Sequence, residues 1–233
     1  MEEIEQLEQY IKESRFTIIV TGAGISNASG IKDMEQMNVI EVAQTAMEPL
    51  VKMQPERSYK LLSKTFLKAM FEIGPSLTHK RLAELEQDGY VQGIITTNID
   101  CLHTFAGSKK VAEIQGSYAI NRCVKCKKHF DDVAIWNQGH APRCNECGGI
   151  IVSFPTYSSI GLNDVAYAQA EKWMHSAELV IIIGAKGSYG SYFQQMNKFA
   201  KIVQINPKAT QFDSWSVMNI KLPADEVFVK LTL

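Results

Sequence analysis

The sequence predicts an α/β fold, a parallel sheet with helices on both faces, interrupted by a small metal-binding module. Short apolar runs at residues 16–20, 91–97, 111–114, 150–154, 179–183 and 202–205 alternate with segments of helical periodicity. Several of these runs are apolar throughout, as expected of strands buried on both faces in a parallel sheet. Two CxxC pairs between residues 123 and 147 make the one abrupt change of composition, so the second module reads as an insertion inside the first.

Taken in order, Ile4, Leu7 and Ile11 repeat at helical spacing and predict an amphipathic helix that feeds the buried strand 16–20. A glycine-rich turn follows over residues 22–30. From 34 to about 73 the pattern is helical and rich in methionine, with Leu61, Leu62, Phe66, Met70 and Phe71 on one broad face. Residues 76–88 predict a helix with Leu82 and Leu85 inward and Gly89 as its C-terminal cap. A further helix is expected over 163–177. At 233 residues the chain suits one ordinary domain or a large domain with a small appendage.

Charge excludes some functions. Lys and Arg number 24 against 25 Asp and Glu, a formal net charge of −1, so no global field draws in nucleic acid or an anionic membrane. No stretch approaches the ~18 apolar residues of a membrane span. The first apolar run is also too late and too short for a secretory signal. The expected setting is the cytoplasm, where closely spaced cysteines bind metal rather than pair as disulfides.

Cys123 and Cys126 form one pair, Cys144 and Cys147 the other, with 17 residues between them, within the range of a four-cysteine zinc site. Four thiolates satisfy tetrahedral zinc and leave no open position to activate water, so the metal is expected to be structural. Arg122, Lys125, Lys127, Lys128 and Arg143 surround the site. Few aromatics stand there to stack bases, which argues against nucleic acid as a partner.

The loop TGAGISNASG sets Gly22, Gly24 and Ser26 at a strand-to-helix turn, where glycines let backbone N–H groups approach phosphate oxygens. A dehydrogenase fingerprint wants glycine where Asn27 stands. On its own the loop serves equally as a turn that packs helix against strand.

Four blocks together resemble the sirtuin family: GAGIS at 22–26, TNIDCLHTFAG at 97–107, the paired CxxC, and IN at 205–206. They fall in the family's order and span nearly the whole chain. The resemblance implies a Rossmann-type NAD-binding domain of residues 1–34, 80–120 and 153–233. It also implies a small helical and zinc-binding domain of residues 35–79 and 121–152, with NAD and a protein substrate meeting in the cleft between the two. By that match Gly22, Ala23, Gly24 and Ser26 would contact the pyrophosphate and ribose, and Asn98, Ile99 and Asp100 would line the nicotinamide pocket. Gly184 and Ala185 would border the adenosine, and Asn206 would hold its ribose. His79 matches a helix position that packs structurally.

Four departures matter. Sirtuin deacetylases carry a histidine as general base where VAEIQGSY has Gln115, as is seen in bacterial macrodomain-linked sirtuins that transfer ADP-ribose to a lipoyl-bearing carrier protein. An amide has no proton-accepting nitrogen near neutral pH, and loss of a general base costs a factor of ~10²–10⁴. Met34 and Glu35 replace the Phe and Arg that cover the nicotinamide ribose, and Lys186 replaces a serine in the late glycine turn. The peptide-clamping FGE is here Phe154-Pro155-Thr156, and Pro155 lacks the N–H that would pair with an extended peptide.

The expected function is therefore an NAD-consuming protein ADP-ribosyltransferase with Asn98, Asp100 and Gln115 at the reaction site. Two alternatives stand beside it: a protein-lysine deacylase in which Asp100 or His103 supplies the base, and a catalytically silent NAD-binding sensor or scaffold. Cys101, the unpaired cysteine, reads as a buried core thiol rather than a nucleophile.

Overall fold

The computed structural model describes residues 2–31, 38–187 and 191–233 of the chain. Among them nine strands are found: β1 (Thr17–Thr21), β2 (Gly93–Thr96), β3 (Val111–Glu113), β4 (Asn121–Cys123), β5 (His129–Phe130), β6 (Ile151–Ser153), β7 (Leu179–Ile183), β8 (Lys201–Ile205) and β9 (Met218–Ile220). Six form one sheet in the order β3-β2-β1-β7-β8-β9, every neighbouring pair parallel. The other three form a small antiparallel sheet, β5-β4-β6.

Helices cover both faces of the large sheet, and the sequence shows why. Helix Glu2–Glu13 carries acids in its first turn and Lys12 in its last, which suits the helix dipole, and it buries the expected stripe of Ile4, Leu7 and Ile11. Helix Leu77–Gln87 is capped by the Ser76 side chain, followed by Gly89 at φ 84, and buries Leu82 and Leu85 on the same face. Val227 and Phe228 of helix Ala224–Phe228 complete that layer. On the opposite face helix Asp164–Ser176 packs Ala170 and Met174 with Tyr192, Phe193 and Phe212. Among the described residues no helix is long and apolar enough to cross a membrane.

The helical stretch before residue 74 is broken rather than continuous. It runs as Val39–Ala46, Glu48–Met53, Pro55–Leu62, Phe66–Lys68 and a π turn Ala69–Ile73. Prolines stand in the first turns of two of these helices, where the missing N–H costs nothing and where a preceding helix has to stop. Leu62, Leu67 and Met70 are buried with Cys101, Tyr118 and Trp136, which seats this stretch on the loop after β2 and on the cysteine module.

Two findings differ from the sequence reading. The apolar run 150–154 does not join the parallel sheet, because β6 pairs antiparallel with β4 and Ile151 packs against Cys123 and Cys144. A strand of the inserted sheet that packs on the cysteines is apolar for a different reason. The parallel sheet instead gains β9, a three-residue strand in which Ile220 alone is buried, too short to show a period.

The chain leaves β1 toward β2 and β3 on one side, then returns to β7, β8 and β9 on the other. Connections therefore diverge at the carboxyl ends of β1 and β7, the place where open parallel sheets form a ligand crevice.

Candidate functional site

At that crevice two loops touch backbone to backbone. Gly22 N–H donates to Ile183 O at 3.1 Å and Gly24 N–H to Gly184 O at 2.9 Å. A Cβ on Gly24 would lie 2.7 Å from Gly184 Cα, and one on Gly184, at φ 61, would lie 2.5 Å from the Ile25 nitrogen. Glycine is thus demanded by the contact between the loops. The N–H groups of Gly22 and Gly24 are engaged in this contact between the loops.

Beside this contact opens a cavity of about 320 Å³, a size found in small-molecule sites. Gly24, Gly184, Lys186 and Asn206 line it, together with Ile25, Asn27, Ala28, Ile205, Pro207, Lys208, Pro223, Ala224 and Asp225. Gly22, Ala23, Ser26 and Ala185 are not among its lining residues. Ser26 and Ala185 are buried beneath it, and the Asn206 side chain donates to Ala185 O at 3.2 Å. The contributions from residues 207–225 carry no motif, and their placement depends on the turn after β8 and on the C-terminal helix.

On the other side of β1, Asn98 and Asp100 follow β2 and converge on Ser26. Ser26 Oγ donates to Asp100 Oδ2 at 2.7 Å, and Asn98 Nδ2 donates to Gly22 O and to Ser26 Oγ, both at 3.2 Å. Asp100 Oδ1 accepts the Leu102 N–H at 3.0 Å, at the first residue of the short helix Leu102–Ala106. Burial pushes the Asp100 carboxyl above its usual range. Ile99 points elsewhere, lining an apolar cavity of about 40 Å³ with Val42, Thr45, Ala46, Phe66, Tyr118, Pro155, Thr156 and Ile160.

Gln115 is half-buried in the turn after β3, closed by the Gly116 N–H to Glu113 O bond, and its side-chain amide has no hydrogen-bond partner among the described residues. Glu113, at the end of β3 in register with Thr96, has its carboxyl raised to about 7 by burial, with the nearby Asp100 charge adding to the shift. Sequence reasoning passed over Glu113, and a carboxylate closing an apolar strand two residues from Gln115 was the available signal.

His103 faces inward. Its Nε2 lies 2.9 Å from Thr21 Oγ1, which itself donates to Thr96 Oγ1 at 2.8 Å, and its ring stands 4.7 Å from that of His79. Burial holds His103 well below its usual pKa, with His79 adding to the effect, and lowers His79 to about 4. These histidines are neutral packing elements, as expected for His79. Cys101 is buried at φ 59 with its thiol pushed up by burial, which fits a core thiol.

The peptide-clamp segment is not extended. Phe154–Tyr157 forms a helical turn with Pro155 in its first turn and Pro155 and Thr156 buried. Thr156 Oγ1 donates to Thr45 O of helix Val39–Ala46 at 3.4 Å. The Arg122 guanidinium of β4 lies 4.2 Å over the Tyr157 ring and 3.5 Å from Glu48. Met34 and Glu35 lie outside the described residues.

The four cysteine Sγ atoms lie within 4.8 Å of one another, with Cys123–Cys147 at 3.5 Å and Cys126–Cys144 at 3.7 Å. Zinc–sulfur bonds of ~2.3 Å in a tetrahedron put sulfurs roughly 3.8 Å apart, so the donor set fits zinc. Each knuckle closes on a left-handed residue, Lys127 at φ 65 and Gly148 at φ 68, whose N–H returns to the first cysteine's carbonyl.

A model of the Sir2 family matches residues 22–189. The chain belongs to the sirtuin family. Among sirtuins it is 31% identical to an NAD-dependent protein deacetylase of Clostridium acetobutylicum, over 92% of this chain and 91% of that one. It is also 31% identical to NAD-dependent protein deacetylase 1 of Pyrobaculum aerophilum, over 99% and 94%. A solved structure of Sir2 with a p53 peptide and NAD+ superposes with a TM-score of 0.79 at 28% identity, covering 97% of this chain and 96% of that one. A structure on the basis of sirtuin substrate affinity reaches 0.84 at 28% identity, over 98% and 97%. The sirtuin fold accounts for the wound parallel sheet and the inserted cysteine module.

Proposed function

We propose that this sirtuin is NAD-dependent and transfers ADP-ribose to a protein acceptor, releasing nicotinamide, with Asn98, Asp100 and Gln115 lining the reaction site. Gln115 carries the reading: an amide without a hydrogen-bond partner among the described residues stands in the turn after β3, at the position where sirtuin deacetylases carry a histidine as proton acceptor. Transfer asks less. As the bond from the ribose to nicotinamide breaks, its electron pair leaves with nicotinamide, and an acceptor nucleophile attacks the cationic sugar carbon and loses its proton. The protein's task is to hold sugar and nucleophile in line, a positional effect of large size.

The division into two lobes, residues 1–34, 80–120 and 153–233 against 35–79 and 121–152, is part of this proposal. The adenosine half would occupy the cavity at Gly24, Gly184, Lys186 and Asn206, with Gly22, Ala23, Ser26 and Ala185 on the loops behind it. The zinc is structural, and a cytoplasmic setting keeps its thiolates reduced. A lipoyl-bearing carrier is the acceptor class to test first. The buried turn at Pro155 and Thr156 supports this reading, since it gives an extended acyl-lysine peptide a poor edge to pair with.

A second reading is deacylation with Glu113 as proton acceptor, favoured by its carboxyl near 7 and by the deacetylase names of the relatives. Incubation with NAD and lipoylated carrier or acylated peptide, followed by mass spectrometry, separates the two. An ADP-ribose adduct on intact carrier is the expected result. Free O-acyl-ADP-ribose with no protein adduct would overturn transfer.

A further inference from the structure

We propose that Arg122 is a positioning residue: from the cysteine module's sheet, acting through two aromatic rings, it holds the Gln115–Gly116 turn in place. This rests on the reading that Gln115 stands at the reaction site. A Cβ on Gly116, at φ 64, would lie 2.2 Å from Phe154 Cδ1, so the turn that carries Gln115 lies directly against the Phe154 ring. The Tyr157 ring meets Phe154 edge-on, with centroids 5.3 Å apart. The Arg122 guanidinium stands 4.2 Å from the Tyr157 centroid, and its Nη2 lies 3.5 Å from Glu48 Oε2.

Arg122 is placed before its side chain makes any contact. It is the middle residue of β4, paired with Val152 of β6 on one side and His129 of β5 on the other, and the zinc-site residue Cys123 follows it. A guanidinium within ~6 Å of a ring centroid is attracted to the negative face of the ring, more strongly where water is kept away. Arg122 Nε is buried with no hydrogen-bond partner among the described residues, which leaves the Tyr157 ring and Glu48 to meet the charge on that side.

The Phe154–Tyr157 turn is tied to the helical insertion twice. Thr156 Oγ1 donates to Thr45 O of helix Val39–Ala46 at 3.4 Å, and Arg122 reaches Glu48, the first residue of the next helix. Phe154 N–H donates to Ile120 O at 2.7 Å, which fixes the start of the turn beside β4. With the backbone held at these points, what remains to be set is the tilt of the two rings, and Arg122 sets it. A change in the tilt of Phe154 is passed to Gly116 because no atom stands between them.

Arg122→Met keeps the stem and removes the charge, and the full zinc-loaded chain is read in two ways. Amide hydrogen exchange should quicken about 10-fold at Gly116, whose N–H donates to Glu113 O at 2.8 Å, and stay as in the parent at Gly148 in the second cysteine knuckle. A merely structural loss would quicken both. Affinity for NAD+ by calorimetry should hold within about 2-fold, while nicotinamide release at saturating NAD+ and lipoylated carrier falls about 10- to 100-fold, the scale of a ~1 Å misplacement. Arg122→Lys, which keeps a cation without the flat face, should fall between. Tyr157→Leu removes the ring and should reproduce Arg122→Met, whereas Tyr157→Phe should match the parent. Unchanged exchange at Gly116 in both Arg122→Met and Tyr157→Leu would overturn the proposal, as would equal quickening at Gly148 or turnover equal to the parent's. Faster exchange at Gly116 in a protein whose parent form releases no nicotinamide would support the hold on the turn and overturn the proposed function instead.

Discussion

The two halves of the crevice are held together by different means. On the β7–β8 side, Gly22, Gly24 and Gly184 press backbone against backbone, and the cavity proposed for the dinucleotide depends on atoms that cannot be replaced without collision. On the β2–β3 side the proposed reaction site depends on single side chains, Asn98, Asp100 and Gln115, and on a turn at Phe154–Tyr157 packed under helix Val39–Ala46. A close backbone contact tolerates little change in sequence, whereas a side-chain site can change its chemistry by one substitution and keep its fold. Under the proposed function the difference teaches that binding and reaction can part company: the grip would follow from the glycine contact, and the reaction from what stands at 115.

The strongest attempt to break this comparison is Gln115→His. If the rest of the β2–β3 half can carry out deacylation, an imidazole at that turn should raise deacetylation of an acetyl-lysine peptide by ~10²–10⁴-fold, measured as O-acetyl-ADP-ribose released. An inactive variant would move the block to the buried turn, and Pro155→Gly on top of Gln115→His would then be the change to make.

Gly24→Ala tests the other half and should act in the opposite way. The added methyl meets the Gly184 backbone at 2.7–2.8 Å, which no side-chain rotation can relieve, so the two loops must separate. Affinity for the dinucleotide should fall by about 10- to 100-fold in calorimetry, roughly 1.4–2.7 kcal/mol. An unchanged affinity would show that the loops are looser than the backbone contact implies.

How far the sequence could be read follows the same divide. The zinc knuckles, the strand before the glycine loop and the helix capped by Ser76 are local patterns, written in neighbouring residues. The convergence of Asn98 and Asp100 on Ser26 joins positions more than 70 apart, and it was visible through family resemblance rather than through periodicity. Lys208, Pro223 and Asp225 reach the cavity through turns of ordinary composition, so nothing marked them. The fate of residues 150–154 was hidden for a related reason: an apolar run reports burial and says nothing about which sheet does the burying.

The smallest expected effect lies where the two halves meet. The Thr21 and Thr96 hydroxyls join β1 to β2, and His103 and then His79 stack beneath them, completely enclosed. His79 is held at about 4 against an ordinary 6.5 because burial opposes its charge. Between those values the unfolded chain binds more protons than the folded one, so this contribution is whole above pH 6.5 and is lost as pH falls toward 4. His103, also depressed, acts in the same direction. Thermal melts should therefore show roughly 1 kcal/mol of stability lost by about pH 5.5. His79→Gln, which cannot take up a proton, should melt lower at neutral pH but with a shallower fall on acidification. Parallel pH profiles for the two proteins would show that the buried pair does not titrate on unfolding, and that the seam between the halves is wetter than its enclosure implies.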